Sequence, residues 1–172
     1  MGFEEKNQII LGLYKAKVDE DIETLRNYIK HLETMLNMYP EEGRLWQFLS
    51  IGYMRTFRMD EAYQACKKAV EYGVRDMDLY KRYIITQQFR AGDEERIKTC
   101  DDAIKLYPRE CIFYIVKGYS LVNLKEYEKA IETLEKGLKY AKQQSDYIDI
   151  YSNLAEAYYR IENKDKAFEY FE

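Results

Sequence analysis

The sequence has little of what most metal sites and covalent active sites need. Among its 172 residues it has one histidine, His31, and three cysteines with no Cys-x-x-Cys pair. This excludes a histidine-rich metal site and a Cys–His arrangement drawn from clustered histidines. Neither G-x-x-x-x-G-K nor G-x-G-x-x-G occurs, so the sequence has no glycine-rich phosphate loop. We therefore expect no enzymatic activity, no cofactor and no metal ion.

One acidic run resembles a calcium loop in composition but not in pattern. Residues 19–23 read DEDIE, but Thr24 and Lys30 stand where an EF-hand has its glycine and its last glutamate. The acidic side chains instead suit the start of a helix over Ile22–Met38, because the helix dipole favours negative charge there.

Long apolar runs and an excess of basic charge are also missing. No segment approaches about 18 consecutive apolar residues, so we expect no membrane insertion. The 27 basic and 31 acidic side chains give a net charge of −4, which argues against nucleic acid as a partner. The first residues, MGFEEK, lack the apolar core of a secretory signal. A native N-terminus favours the cytoplasm, whereas an excerpt from a longer chain would leave the bacterial periplasm open.

The chain has only two prolines and eight glycines, which favours long helices, and its pattern repeats every 34 residues. A fixed period of this length is typical of stacked repeat units that bury their apolar faces against one another. The recurring positions are Trp46, Tyr80 and Tyr114; Ala69, Ala103 and Gly137; Cys66 and Cys100; and Pro40 and Pro108.

Within one period the apolar residues have helical spacing. They recur at steps of three and four over residues 45–54, and again over residues 62–70 after a short break. Asp60 and Glu61 mark the start of the second helix, and Gly73 its end. Each period is thus predicted to be two antiparallel helices joined by a tight turn. Cys66 and Cys100 lie one period apart, too far for a disulfide between stacked helices, and are expected to be buried thiols.

These residues resemble the tetratricopeptide repeat. In one unit Trp46, Leu49, Ser50, Tyr53, Ala62, Cys66 and Ala69 match the family pattern, and in a later one Tyr114, Gly118, Leu121, Tyr127, Ala130, Leu134 and Gly137 match it. The resemblance implies an all-α fold, a right-handed α-solenoid of antiparallel helix pairs with about ten helices. It would form a single domain over residues 1–172, with units at 4–42 (diverged), 43–76, 77–110, 111–147 and 148–172 (truncated).

The predicted units depart from the family pattern at several places. In the second clear unit Ile84, Gln87 and Arg96 replace a small residue, an aromatic residue and alanine. We expect Arg96 to turn its charged head outward and the two helices of this unit to pack loosely. Extra residues at 141–145 are expected to lengthen the second helix of the next unit or its exit loop. The short last helix has Phe168, Tyr170 and Phe171, so the chain is expected to be an excerpt of a longer array or to pair with another copy through this end.

The resemblance also implies a site. In this family the first helix of each unit lines a concave groove, which here gives the candidate binding residues Arg44, Gln47, Phe48, Ile51, Arg55, Lys81, Arg82, Ile85, Gln88, Phe89, Ile112, Ile115, Val116, Tyr119 and Asn123. The apolar members form a surface that is unusual to leave in water without a use. The alternative is that another segment of a longer chain covers this face.

One family function is excluded by these residues. Repeats that clamp the C-terminal carboxylates of chaperones need Lys, Asn and Arg at five groove places, where this sequence has Gln47, Ile51, Arg82, Ile112 and Val116. The sequence therefore predicts a scaffold or adaptor that binds a peptide or protein segment with acidic and apolar side chains. The alternatives are a chaperone for secreted or aggregation-prone clients and the non-catalytic portion of a larger enzyme or sensor.

Overall fold

The computed structural model describes residues 22–88 and 90–171. The predicted first helix of the diverged unit, most of the acidic run at 19–23 and the predicted groove residue Phe89 lie outside these ranges. In the described residues all regular secondary structure is helical, as the sequence predicts. The nine helices are α1 Ile22–Met38, α2 Gly43–Arg55, α3 Met59–Glu71, α4 Met77–Gln87, α5 Asp93–Leu106, α6 Cys111–Asn123, α7 Tyr127–Leu138, α8 Gln144–Arg160 and α9 Lys164–Phe171.

The helices stack in sequence order. Each packs against the helix before and after it, and contacts also join α4 to α6 and α6 to α8. The first helices of successive units therefore lie side by side in one layer, with the second helices behind them. This is the arrangement of an α-solenoid, and it creates a face lined by α4, α6 and α8.

The ends of the helices follow local signals in the sequence. The pair Asp60 and Glu61 lies in the first turn of α3, and Gly73, with φ of +85°, is the second residue after its end at Glu71. That backbone conformation costs glycine little and other residues more, so Gly73 ends the helix cleanly. At the start of α4 the Asp76 side chain accepts a hydrogen bond of 2.9 Å from the Leu79 amide.

A hydrogen bond recurs at equivalent places two periods apart. The Trp46 indole donates to the Pro40 carbonyl at 2.8 Å, and the Tyr114 hydroxyl donates to the Pro108 carbonyl at 2.8 Å. In both units an aromatic residue of the first helix thus satisfies a carbonyl left unpaired near the end of the preceding helix. The 34-residue spacing therefore preserves specific contacts as well as apolar positions.

Small residues allow the two helices of each unit to approach closely. Ala62, Ala69, Cys66, Cys100 and Ala103 have no exposed surface. All three cysteines are free, as predicted, and burial raises the pKa of Cys66 to about 11 and that of Cys100 to about 12. The thiols are therefore neutral packing groups at neutral pH.

The tightest of these contacts involve glycine. A methyl group on Gly118 of α6 would overlap the buried Leu134 side chain of α7, and one on Gly137 would lie 2.6 Å from the Tyr114 Cβ. Glycine costs up to about 1 kcal/mol of helix propensity relative to alanine. Glycine at residues 118 and 137 is therefore required for the close packing of neighbouring helices and not for helix formation.

The extra residues around 141–145 have a different effect from the one predicted. The second helix of that unit, α7, ends at Leu138, and the following helix α8 starts at Gln144 and runs for 17 residues, whereas α2 and α6 each have 13. The prediction that the second helix or its exit loop grows is wrong, because the added residues form an extra turn at the start of α8. Asp146 closes that turn by accepting hydrogen bonds from the amides of Lys142 and Gln143 at 2.9 and 3.1 Å.

A polar cluster centred on Glu95 joins three helices. Its carboxylate accepts hydrogen bonds from the hydroxyls of Tyr63 (2.8 Å) and Tyr83 (3.0 Å), and Lys67 lies 4.0 Å away. The fully buried Gln87 donates to Thr99 at 2.9 Å. Gln87 therefore replaces the usual aromatic residue by hydrogen bonding instead of apolar contact. That the helices of this unit pack loosely stays a prediction.

We predict that Gly118→Ala lowers the free energy of unfolding. Overpacking a dense core costs about 1–3 kcal/mol, which exceeds the gain in helix propensity of up to about 1 kcal/mol. Urea unfolding followed by circular dichroism measures the change. Gln64→Ala, at an exposed position of α3, is the control and is expected to be neutral or slightly stabilising. Equal stability of the Gly118 variant and the wild type would contradict the packing argument.

We also predict that the Glu95 cluster makes the fold sensitive to acid. Burial alone would raise the pKa of Glu95, but the hydrogen bonds from Tyr63 and Tyr83 and the Lys67 charge outweigh it and lower this pKa. The stabilisation is therefore present above the ordinary pKa of glutamate and is lost as the pH falls through the lowered folded value.

Thermal unfolding of Glu95→Gln between pH 3 and 7 tests this prediction. The variant should lose less stability than the wild type as the pH falls, because it has no carboxylate to protonate. The Tyr63→Phe variant should be less stable than the wild type at pH 7, and its stability should fall less as the pH is lowered. Tyr159→Phe, on an exposed tyrosine of α8, is the control. Parallel pH profiles for the wild type and Glu95→Gln would refute the assignment.

Candidate binding groove

A cavity of about 690 Å³ lies along the face that the first helices form. It runs from α4 across α6 to α8 and opens to solvent. The predicted groove residues that line it are Lys81, Ile85, Gln88, Ile112, Ile115, Val116 and Tyr119. The structure therefore brings seven of the predicted residues of the second and third units together in one cavity.

The remaining predicted residues lie elsewhere on the described chain. Arg44, Gln47 and Phe48 line a second, smaller cavity of about 510 Å³ beside the loop at residues 72–76. The residues that line neither of these two cavities are Ile51, Arg55, Arg82 and Asn123. The assignment of the full set to one continuous binding surface stays a prediction.

The apolar part of the large cavity is partly in water. Ile85 is 50% exposed and Tyr119 is 46% exposed, while Ile112 and Val116 are half-buried between them. Ile115 and Phe48 differ from the expectation that they lie open to water, since both are buried. Each lies in a core cluster shared with a neighbouring unit, Ile115 with Leu134 and Ile150 and Phe48 with Leu49 and Leu32, so little of either is left for a ligand.

Charged groups surround this apolar area. Lys81 of α4 pairs with Glu110, just before α6, at 3.0 Å, and this half-buried ion pair bridges neighbouring units. Arg82 donates to the Ser50 hydroxyl at 3.2 Å. Asp146 and Asp149 of α8 line the far side of the cavity. Positive charge thus lies toward α4, whereas the two aspartates, with Lys142 beside them, lie toward α8.

Arg96 is the site residue that the sequence placed wrongly. It was expected to point outward, but only 9% of its side chain is exposed and it lines the cavity. Its Nη2 lies 3.7 Å from Asp93 Oδ1, and its guanidinium carbon lies 6.0 Å from the centre of the Tyr119 ring. A carboxylate and the face of an aromatic ring both attract a cation. The Arg96 side chain therefore points toward Asp93 and Tyr119 and not toward the solvent beside α5.

Other lining residues come from places that the repeat positions do not cover. One is Ile84 on α4, and the others lie in loops or at helix starts: Arg109, Glu110, Cys111, Tyr140, Lys142, Gln143 and Asp146. Arg96 gave a usable signal, since it occupies a place where the family has alanine. The others gave none, because their positions depend on how neighbouring units stack.

The cavity contains one thiol, that of Cys111. Its Sγ donates to the Gly137 carbonyl at 3.4 Å, and burial raises its pKa to about 11. The thiol is therefore neutral at physiological pH, and the thiolate is the reactive form of cysteine. In the described ranges no group of three or more His, Cys, Asp or Glu side chains has the arrangement of a metal site. Over those residues no helix combines the length and apolar character needed to cross a bilayer.

Comparisons with known proteins agree with this architecture. Residues 113–144 and 148–172 match the family model for the tetratricopeptide repeat. A crystal structure of the MamA protein superposes with a TM-score of 0.80 at 21% identity, covering 98% of this chain and 90% of that one. A MamA structure from Desulfovibrio magneticus RS-1 gives a TM-score of 0.73 at 13% identity, with 99% and 93% covered.

A third structure is that of YrrB, described as a TPR protein with an unusual peptide-binding site. It gives a TM-score of 0.75 at 16% identity over 87% of this chain and 75% of that one. At these identities the likeness shows the fold. Among curated proteins none matches the chain.

Proposed function

We propose that this tetratricopeptide repeat protein is an interaction scaffold that holds a segment of another protein in the cavity between α4, α6 and α8. The observation that carries the proposal is the solvent-exposed apolar area formed by Ile85 and Tyr119 on the face of the solenoid. Exposed apolar area framed by charge commonly marks a binding surface. The likeness to YrrB, whose structure contains a peptide-binding site, supports the same reading.

The charges around the cavity define the partner that fits. Basic groups lie toward α4, the apolar residues lie in the middle, and Asp146 and Asp149 lie toward α8. A segment with apolar side chains at its centre and acidic side chains toward α4 complements this distribution. Such a segment would contact three repeat units at once, with Tyr119 and Ile85 near its centre, where binding energy tends to concentrate.

We further infer that the chain acts by binding and not by catalysis. The groups at the cavity that catalysis would use are engaged in structural roles. Burial keeps the Cys111 thiol neutral, Glu110 is held in its ion pair with Lys81, and Asp146 caps the start of α8.

We predict that Ile85→Asp abolishes peptide binding whereas Leu106→Asp does not. Both are exposed aliphatic residues, 50% and 43% exposed, but only Ile85 lines the cavity. Peptides selected from a random library on the immobilised chain serve as ligands, and fluorescence anisotropy measures their affinities. An aspartate at residue 85 must be desolvated when the segment binds, so at least a tenfold loss of affinity is expected.

The comparison of the two variants decides the proposal. Circular dichroism first establishes that both variants unfold at the wild-type temperature. A selection that enriches no peptide would contradict the proposed function. Enriched peptides that bind both variants as tightly as the wild type would place the binding site elsewhere on the chain.

Self-association through the last helix is a separate proposal. Phe168 and Phe171 of α9 are 67% and 68% exposed, whereas Tyr170 stacks on Tyr158 with ring centres 5.8 Å apart. We predict that the chain dimerises at high concentration through these phenylalanines and that Phe168→Ser combined with Phe171→Ser prevents it. Light scattering over a concentration series measures the mass. A monomer at all concentrations would rule the proposal out.

A further inference from the structure

We propose that Arg96 is a buried receptor for one acidic side chain of the bound segment, and that this side chain is a glutamate. The inference rests on the proposed function, since it names the chemistry by which the groove selects its partner. It goes beyond the repeat-family pattern, because the cation lies on a second helix at a place where that pattern has alanine.

The hydrogen bonding of the Arg96 side chain is incomplete. Its guanidinium is charged at all physiological pH values and has five N–H donors. Asp93 lies 3.7 Å from Nη2, beyond hydrogen-bond distance, and its Oδ1 also accepts from the Asn123 amide at 3.4 Å. The buried Nε has no hydrogen-bond partner among the described residues. Burying nine-tenths of a charged side chain with unpaired donors costs free energy, and an additional hydrogen-bond acceptor would lower that cost.

A carboxylate is the acceptor that fits. Because Nε is sealed from the cavity, the carboxylate would accept from the terminal nitrogens of the guanidinium, and such pairs make charge-assisted hydrogen bonds. The other cation deep in this part of the cavity, Lys81, is already paired with Glu110. Of these two cations, Arg96 is therefore the one whose hydrogen-bonding capacity remains to be used by a ligand, whereas Arg109 and Lys142 lie at the rim of the cavity.

The depth of Arg96 indicates a side chain and not a chain terminus. Arg96 belongs to α5, behind the layer of α4 and α6, so a backbone lying on that layer is too wide to reach it. A glutamate side chain has two methylene groups, which carry its carboxylate inward between Tyr119 and the end of α4. The cavity continues to Asn153 on α8, so the bound chain has room to pass on. The half-exposed Ile85 and Val116 favour apolar residues on both sides of the glutamate.

A double-mutant cycle on the selected peptides tests the pairing. On the full wild-type chain, replacing the peptide glutamate with glutamine should weaken binding by roughly tenfold to a hundredfold, the range for hydrogen bonds between charged groups. On Arg96→Met the two peptides should bind equally. Arg96→Lys keeps the charge but loses the planar fork, so it should show a smaller preference for glutamate.

Arg109→Met is the matched control. Arg109 lines the same cavity but is exposed. A general electrostatic attraction would be weakened by either substitution, whereas specific pairing predicts that Arg109→Met keeps the full discrimination between the glutamate and glutamine peptides.

An NMR titration tests the pairing directly and does not require any Arg96 variant to bind the peptide. The Nε–Hε resonance of Arg96 in a ¹H–¹⁵N spectrum is assigned by its absence from Arg96→Lys. It should shift when the glutamate peptide is added and stay in place with the glutamine peptide. This comparison uses the wild-type chain, so it holds even where Arg96→Met fails to fold.

The outcomes separate this inference from the proposed function. A library selection that enriches no peptide refutes both. Enriched peptides that bind in the groove but show no preference for glutamate over glutamine refute only the role of Arg96. If amidation of the peptide C-terminus removes as much affinity as the change to glutamine, the carboxylate recognised is a chain terminus and the inference is also overturned.

Discussion

The structure depends on the close approach of the two helices within each unit. Where Ala62, Ala69 and Ala103 face the neighbouring helix, the absence of bulk brings the helix axes together, and at Gly118 no side chain at all is tolerated. Because the two helices of a unit are closely paired, the chain leaves each unit in a fixed direction and enters the next one at a fixed place. The first helices then form one layer and the second helices another, and a groove follows from the layering without any residue dedicated to it.

The second clear unit departs from this rule, and the departure connects stability with binding. Arg96 and Gln87 occupy places where small and aromatic residues pack in related repeats. Hydrogen bonds take over part of the apolar contact there: Gln87 donates to Thr99, and Glu95 accepts from two tyrosines. The same departure places a cation at the back of the groove. The loose packing predicted for this unit and the cation that lines the cavity would thus have one cause, a pattern that is common at functional sites.

The sequence predicts the helices better than the site, for physical reasons. The helix at Ile22–Met38 and the stop at Gly73 follow from apolar spacing and backbone preference, which are local properties. Ile85, Val116 and Tyr119 line the cavity, because a position on a first helix determines which way a side chain points. The burial of Ile115 and the extra turn of α8 depend on how units stack, and the repeat pattern contains no information on that.

Arg96 shows the limit most clearly. A long flexible side chain has many rotamers, so the place of its Cα does not determine the place of its charge. The neighbours that direct it inward, Asp93 and Tyr119, lie on α5 and α6, and their relation to Arg96 exists only in the folded chain. The repeat pattern marks Arg96 as an unusual residue, but it does not indicate that the charge of this side chain is buried.

The groove also has consequences for the solenoid itself. Neighbouring units are joined by local contacts such as the Lys81–Glu110 ion pair, and each unit contacts only its neighbours. A segment lying across α4, α6 and α8 would touch three units, so it would act as a non-covalent cross-link between them. Any ligand that binds only the folded state stabilises it in proportion to its occupancy. The loose packing predicted for the unit that contains Arg96 would make the effect greatest there. The substitution that gives the groove its cation would therefore weaken the free chain at the one place where a bound partner restores the missing interaction.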